Sequence, residues 1–413
     1  MMRISTSQFY NQNIQTMDTQ ESQLATYYQQ LSSGTALTTP ADNPLAAAQA
    51  VQLTMVSATY TQYTTNQNSA LTSLQLEDKT LSSVTSTMQS ISSEIVRAGD
   101  GSLNDSDRAS IAKAIQGYRD QLMTLANTSD GAGNYLFSGF QATTQPFTSA
   151  PGGGVNYHGD NGIRQAQVAD TRQIATNDSG SSVFMSVPSV GTSPVSAGNT
   201  ANTGTGTIGR ASITNPAVAT NGDSYTITFG GTSAAPTYTV TDNTAVPATT
   251  TPPAAFSANT PIALGTGMQV AIAGAPNPGD TFSVTPATAS QNSSMFSTID
   301  AVIAALQQPT TNNPAATATL ANALTTGLSA FQNSLTNVTV TQASVGGREQ
   351  ELQALQTTTQ TNSLQTQSDL ANLTGVDMVS AISNFQLTQN ALQAAQQTFV
   401  KIQGMSLFQY IGG

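Results

Sequence analysis

Cysteine is absent from this 413-residue chain, and so is tryptophan. Without a thiol there is no disulfide, no thiolate metal site and no cysteine nucleophile. Histidine occurs once, as His158, so a zinc site of the HExxH kind, which takes two imidazoles from one helix, has nothing to build it. Basic residues are scarce. Lysine is confined to Lys79, Lys113 and Lys401, and between Arg172 and Arg348 the sole basic residue is Arg210. With a net charge of −11 and only 8% of residues charged, no basic patch exists to hold a nucleic-acid backbone or to draw the chain to an anionic bilayer. Neither nucleic acid nor membrane is expected as a partner. No run approaches the ~18 consecutive apolar residues of a membrane span. Arg3 is followed by Ser, Thr, Gln and Asn residues, not by the apolar core of a cleavable leader. Two locations remain: the cytoplasm, or the exterior reached by a route that reads no cleavable signal.

What the chain does have is apolar residues at helical spacing among Gln, Asn, Ser and Thr. From Val376 to Gly413, Met378, Phe385, Leu392 and Phe399 recur every seventh residue, and Ile382, Ala395 and Ile402 fall between them. That is the seam of a coiled coil. The N-terminal stretch carries a second seam of Tyr10, Met17, Leu24 and Leu31, filled in by Ile14 and Tyr28. Glu21 stands where an apolar residue is expected, either as a register-setting polar residue or because the phase slips by one there. Two matching seams with more than 300 residues between them predict that the ends pair with each other and with further copies of the chain. Packing within one chain is the plainer reading of any such stripe, and pattern alone does not separate the two.

Between the seams the order is helices, strands, helices. A first helix over 5–32 stops at Gly34. Asn43-Pro44 reads as N-cap and first position of a long helix reaching about Ala98, which at ~1.5 Å per residue belongs in a rod. After a turn over 100–107, where Asp105 or Ser106 can cap, a helix runs to about Ala126, antiparallel to the one before. Tyr135-Leu136-Phe137 opens a β-rich region to about Pro286, with strands expected at 163–169, 183–187, 208–213, 225–229, 237–241, 268–273 and 282–285. The low-complexity stretches 189–206 and 245–260 are left unassigned. Helix returns at Phe296 and again after Pro314, continuing through the β-like composition of 338–343. Gly375 is a hinge before the final seam. The expected fold is α+β and multidomain: a coiled-coil base of 1–43 with 376–413, a helical rod of 44–140 with 292–375, and an outer β region over 141–291 with an extra subdomain at about 188–278.

Catalytic chemistry finds little support. His158 sits in a Gly-rich turn, where a surface imidazole is the simpler reading than a Ser-His-Asp triad. Gly152-Gly153-Gly154 lacks the Lys-Ser/Thr of a phosphate loop, and Asp160-Asn161-Gly162 is too short for a calcium loop. The pairs Glu77/Asp78 and Glu349/Glu351 read as solvated helix faces, and Asp105 and Asp107 as caps. No catalytic residue, metal site or cofactor is expected.

Several segments carry a family resemblance. Met2-Arg3-Ile4-Ser5-Thr6, Leu31-Ser32-Ser33-Gly34 and Pro40-Ala41-Asp42-Asn43-Pro44 resemble the N-terminus of the flagellin superfamily. Asn134-Tyr135-Leu136-Phe137-Ser138-Gly139 is similar to that family's exit from its helical domain, and Ser344-Val345-Gly346-Gly347-Arg348 to its return helix. Gly279-Asp280-Thr281-Phe282 resembles a strand motif of hook-associated proteins. Leu392-Gln393-Ala394-Ala395 and Ser406-Leu407-Phe408-Gln409-Tyr410-Ile411 resemble the hook-associated protein 3 family of hook–filament junction proteins more than filament flagellins, with Gln409 where an acidic residue is usual. The resemblance spans about 1–165 and 279–413. It implies a structural subunit exported unfolded through the flagellar type III channel with a dedicated chaperone. Such a subunit self-assembles into a tube between hook-associated protein 1 and flagellin, its terminal seams lining the inner tube. A filament flagellin is the nearest alternative; a surface adhesin or carbohydrate-binding module, carried by the strands, is a third.

Overall fold

The computed structural model describes residues 6–151, 153–187, 192–287 and 294–411, with the side chains of 6, 7, 9 and 402–411 excepted. Met2–Ser5 of the N-terminal motif, and the side chains of Ile402 and of the Ser406–Ile411 motif, lie outside what is described. The chain divides into two compact units, 1–65 with 355–413 and 66–354.

The helices are α1 (Thr6–Ser33), α2 (Pro44–Ala98), α3 (Asp105–Ala126), the short α4 (Gly180–Phe184), α5 (Met295–Leu306), α6 (Pro314–Thr374) and α7 (Met378–Ile411). In the larger unit α2 buries Leu74, Leu81, Val84, Met88, Ile91 and Ile95. On α6 the buried positions include Leu324, Phe331, Val338, Val345 and Leu352. These are consecutive heptad positions, so the β-like stretch around Val338 stays helical because Val338 itself falls on a seam, while Val340 is left exposed. Ile111, Ile115 and Leu122 line the inner face of α3, which packs on α5. Gly327 of α6 lets α5 approach closely: a Cβ there would lie 2.3 Å from Val302 Cγ2.

Two carboxylates differ from their expected roles. Glu77 is 1% exposed, because it occupies a seam position of α2 between Ala70 and Val84. Its Oε1 accepts the Asp178 backbone N–H at 3.1 Å, and Asp178 is paired with Arg348. Glu351 holds Arg172 with two hydrogen bonds of 2.5 and 2.7 Å. Glu77 is therefore no solvated face, whereas Glu351 stays on one, with its ion pair at the surface. The α3 cap is Asn104, which forms a capping box with Asp107. Asp105 reaches across instead to the Thr310 N–H and the Thr311 hydroxyl, and these bonds, Thr311 first, hold its carboxyl below the ordinary range.

Between α3 and α5 the chain forms sheets. Two hairpins, β1 (Phe147–Ser149) with β2 (Val155–Tyr157) and β3 (Gln165–Ala169) with β4 (Arg172–Ala175), lie beside the helices. The expected strand at 183–187 is instead α4 and its exit. Ser179 caps α4, and Asn337 Nδ2 of α6 donates to the carbonyls of Ser182 and Val183 at 2.7 and 2.9 Å. The outer strands are β5 (Val195–Gly198), β6 (Thr207–Ile208), β7 (Ser212–Ile213), β8 (Tyr225–Thr232), β9 (Ala235–Asp242), β10 (Thr249–Thr250), β11 (Ala254–Ala255), β12 (Pro261–Leu264), β13 (Met268–Ala273) and β14 (Thr281–Thr285). One sheet runs β10-β9-β8-β14-β5, with β11 also on β9; the other runs β12-β13-β6, with β7 also on β13. Both sheets close on one core that includes Ile227, Phe229, Val270, Ile272, Phe282 and Val284. Strands β5, β10 and β11 lie in stretches that composition alone left unassigned.

Buried side-chain amides fasten these strands to the helices. Asn322 of α6 accepts the Ile208 N–H at 2.8 Å and donates to the Gly206 carbonyl at 3.1 Å. Asn333 does the same to both main-chain groups of Ser193, at 2.9 and 2.8 Å. On α3's C-cap, Asn127 pairs with both groups of Phe147. Each amide takes the place of a neighbouring strand.

Burial, and next the nearby Asp178 carboxylate, push Glu77 up from 4.5 to about 8. The folded chain therefore keeps a proton that the unfolded chain releases as pH rises through 4.5, and stability falls until about pH 8. Replacing Glu77→Gln, which mimics the neutral form, should raise the thermal midpoint at pH 8. The gain is on the order of a few kcal/mol, because each pH step of one between the two values is worth about 1.4 kcal/mol. It should vanish below pH 4.5. Calorimetry of both chains across this range is the check, and an equal gain at all pH values would contradict the assignment.

Candidate assembly interface

The smaller unit is built around α1 and α7. Gly34 ends α1 in the left-handed conformation, φ 71°, its N–H donating to the Gln30 carbonyl at 2.8 Å. Ala36 N–H donates to the Thr374 carbonyl at 2.7 Å and Val376 N–H to the Gly34 carbonyl at 3.1 Å, so the end of α1 and the start of α7 are tied into one joint. The Pro40–Pro44 motif has a physical role here. Asp42 Oδ2 gathers the Thr38 N–H, the Thr38 hydroxyl and the Thr39 N–H at 2.7–3.0 Å. Asn43 Oδ1 caps α2 at the Ala46 N–H, and Pro44 fills the first position, where no N–H is needed. Asp377 caps α7 through the Val379 and Ser380 N–H groups. These bonds hold both aspartates below the ordinary carboxylate range, the first chiefly through the Thr39 N–H and the second chiefly through the Ser380 hydroxyl.

From that joint the two helices run antiparallel, and at the far end the rings of Tyr10 and Phe399 meet with centroids 5.1 Å apart. The same register, carried one heptad at a time, sets Met17 level with Leu392 and Leu24 level with Phe385. Ile14, Met17, Leu24, Leu31, Phe385, Leu392, Ala395 and Phe399 are half-buried. Tyr10, Met378 and Ile382 are exposed. Two phase details differ from the spacing. Gln20 rather than Glu21 turns inward, and Tyr27 is half-buried while Tyr28 is 65% exposed. Ala381, which is buried, and Thr388, half-buried, complete the α7 seam. A heptad count started one residue earlier, from Ala381 through Thr388 to Ala395, would have found them; their small and polar side chains hid the phase.

The motifs of the larger unit are structural as well. Asp280 is buried and accepts the N–H groups of Thr203, Gly204 and Asn277 at 2.8–3.0 Å, which locks the turn before Phe282 enters the core. Phe137 joins Phe184, Phe147 and Phe296 in one ring cluster. His158 Nε2 lies 2.8 Å from the Thr148 hydroxyl, a pairing within a hairpin.

The model of the bacterial flagellin N-terminal helical region matches residues 4–142. The flagellar hook-associated protein 3 of Salmonella typhimurium is 30% identical over 408 residues, 99% of each chain. The chain belongs to the flagellar hook-associated protein 3 family. Among solved structures, the flagellar junction protein FlgL of Legionella pneumophila superposes with a TM-score of 0.67 at 27% identity, covering 78% of this chain and 100% of that one. FlgL of Xanthomonas campestris superposes with a TM-score of 0.66 at 27% identity, covering 76% and 98%. As a member of this family the chain is a structural protein of the bacterial flagellum, not an enzyme, and it associates with other flagellar components.

An L side chain at Gly34 is strained by about 1–2 kcal/mol in the left-handed region, and Asn tolerates that region better. Gly34→Ala should therefore speed amide exchange at Ala36 and Val376, whose N–H groups close the joint, by roughly tenfold, and Gly34→Asn by less. Unchanged exchange in the Ala variant would show that the joint does not depend on this residue.

Proposed function

We propose that this chain forms the junction between hook and filament, a short tube built from α1–α7 pairs of many copies. Hook-associated protein 1 lies on one side and flagellin on the other. The chain reaches its place unfolded, through the type III channel, escorted by an export chaperone.

One observation carries this reading. Among the described residues of the smaller unit, the buried ones are Ala46, Thr359, Thr366 and Ala381. No large apolar side chain there is fully covered, whereas Val379 is 80% and Val400 65% exposed. Burying a Leu- or Phe-sized side chain contributes about 1.5–3 kcal/mol, and ordering each residue costs about 1–2 kcal/mol. Half-covered residues along one seam do not meet that cost. Neighbouring copies supply the missing cover, and the near absence of charge on these helices means that copies meet without like-charge repulsion.

Two outcomes follow. In the free chain, amide exchange over 6–33 and 378–402 should be fast while the seam of the larger unit is protected; strong protection of both terminal helices would refute the reading. Phe399→Asp places a carboxylate against Tyr10 and should abolish joining of filament to hook in cells while leaving the melting of the larger unit unchanged. Normal filaments on cells carrying that variant would overturn the seam assignment.

A further inference from the structure

Phe140 is 66% exposed, yet its loop is fastened on every side. Gly139 before it is left-handed at φ 70°, and a Cβ there would lie 2.1 Å from Asp160 Oδ1. That same oxygen accepts the Phe140 N–H at 2.9 Å and the Gly162 N–H at 2.7 Å. The Tyr157 hydroxyl bonds the carbonyls of Phe137 and Asp160, on either side of the loop, at 2.9 and 2.8 Å. The ring lies flat on Gly162, where a Cβ would come within 2.1 Å of Phe140 Cδ2. Ile163, 47% exposed, extends the apolar surface. An aromatic side chain held in water by a rigid loop loses little freedom on binding, and such anchors dominate interface energies.

The same unit carries a recess that fits it. A groove of about 770 Å³ runs between α5 and α6, lined by Ala301, Ala304, Ala305, Ala315, Leu320 and Ala323 among others, with no charged residue in its lining. A smaller recess of about 290 Å³ lies next to it, sharing Ala301 and Ala323, and is equally free of charge. An uncharged apolar knob and an uncharged apolar slot can close without stripping water from an ion.

We infer that Phe140, with Ile163 beside it, seats in the α5–α6 groove of a neighbouring copy of this chain. Area argues for a second copy over a free partner. A Phe buries on the order of 150–250 Å², and with Ile163 the knob covers a few hundred Å² at most, against the ~800 Å² per partner of a stable complex. The contact cannot hold two free chains together. It works where copies are already held side by side, so it rests on the proposed tube and adds to it through effective concentration. Knob and slot are different surfaces, so the contact is heterologous: each copy gives a ring to one neighbour and receives one from another.

The absence of cysteine makes the test direct. Cells making only the double variant Phe140→Cys with Ala304→Cys are grown to bear flagella, and the intact flagella are mildly oxidised. Non-reducing gels should then show a ladder of dimers and longer multimers of this chain, and neither single variant should give one. A double variant that stays monomeric overturns the inference, and so does a Phe140→Cys single variant that cross-links to itself or to another protein. As a second arm, Phe140→Ala should melt like the parent chain, since the ring is exposed, but should shed filaments at several-fold lower shear, with Phe140→Tyr restoring the parent value. Parent-like retention by Phe140→Ala would also overturn it. If Phe399→Asp blocks assembly while the double variant gives no ladder, this contact falls and the tube stands. If Phe399→Asp leaves filaments normal, the tube itself falls.

Discussion

A seam one residue wide cannot keep two helices together in water, and the organisation of this molecule follows from that constraint. Where α2 and α6 run through the larger unit, their heptad positions carry Leu, Ile, Met, Val and Phe, and those side chains are buried. Further along α6 the same heptad positions continue as Thr359 and Thr366. The register is kept while the apolar content drops. Beyond the joint at Gly34 and Gly375, α1 and α7 touch along a strip whose largest members are only half-covered. The chain thus grades from a fully covered core to helices whose apolar strip is only half-covered.

Electrostatics follow the same gradient. Three salt bridges of the larger unit join segments far apart in sequence: Arg119 with Asp300 between α3 and α5, Arg172 with Glu351 between β4 and α6, and Arg348 with Asp178. The Arg348 of the Ser344–Arg348 motif also donates to the Ala175 carbonyl at 3.2 Å, so the motif secures the return helix to the chain leaving β4. Along α1, the first half of α2 and α7, charge is almost absent: Asp18, Glu21 and Lys401 are what remains. The terminal helices are nearly neutral, and charge is concentrated where it fixes the fold of the larger unit.

The helices were legible because each has its own punctuation: Gly34 after α1, Asn43-Pro44 before α2, Pro314 before α6. The well-patterned strands β8, β9, β13 and β14 were legible because they alternate. What stayed hidden had non-local causes. Residues 183–187 have strand-like composition, yet α4 forms because Ser179 and the side chain of Asn337, more than a hundred residues away, satisfy its ends. Strands β10 and β11 are two residues each and exist only because β9 templates them. The burial of Glu77 follows from its seam phase, which a reading of carboxylate pairs by type alone passes over. In the terminal pair, the seam was visible where it was greasy and lost where Ala381 and Thr388 carry it.

The side-chain amides that hold the sheets to the helices bind only main-chain N–H and carbonyl groups. Asn127 and Asn333 are therefore indifferent to which residues the attached segments carry, so long as the backbone arrives in the same shape, whereas Asn322 also needs the glycine at 198, where a Cβ would come within 2.6 Å of its Nδ2. The inserted strands can therefore diverge in most of their side chains while these main-chain anchor points stay as they are.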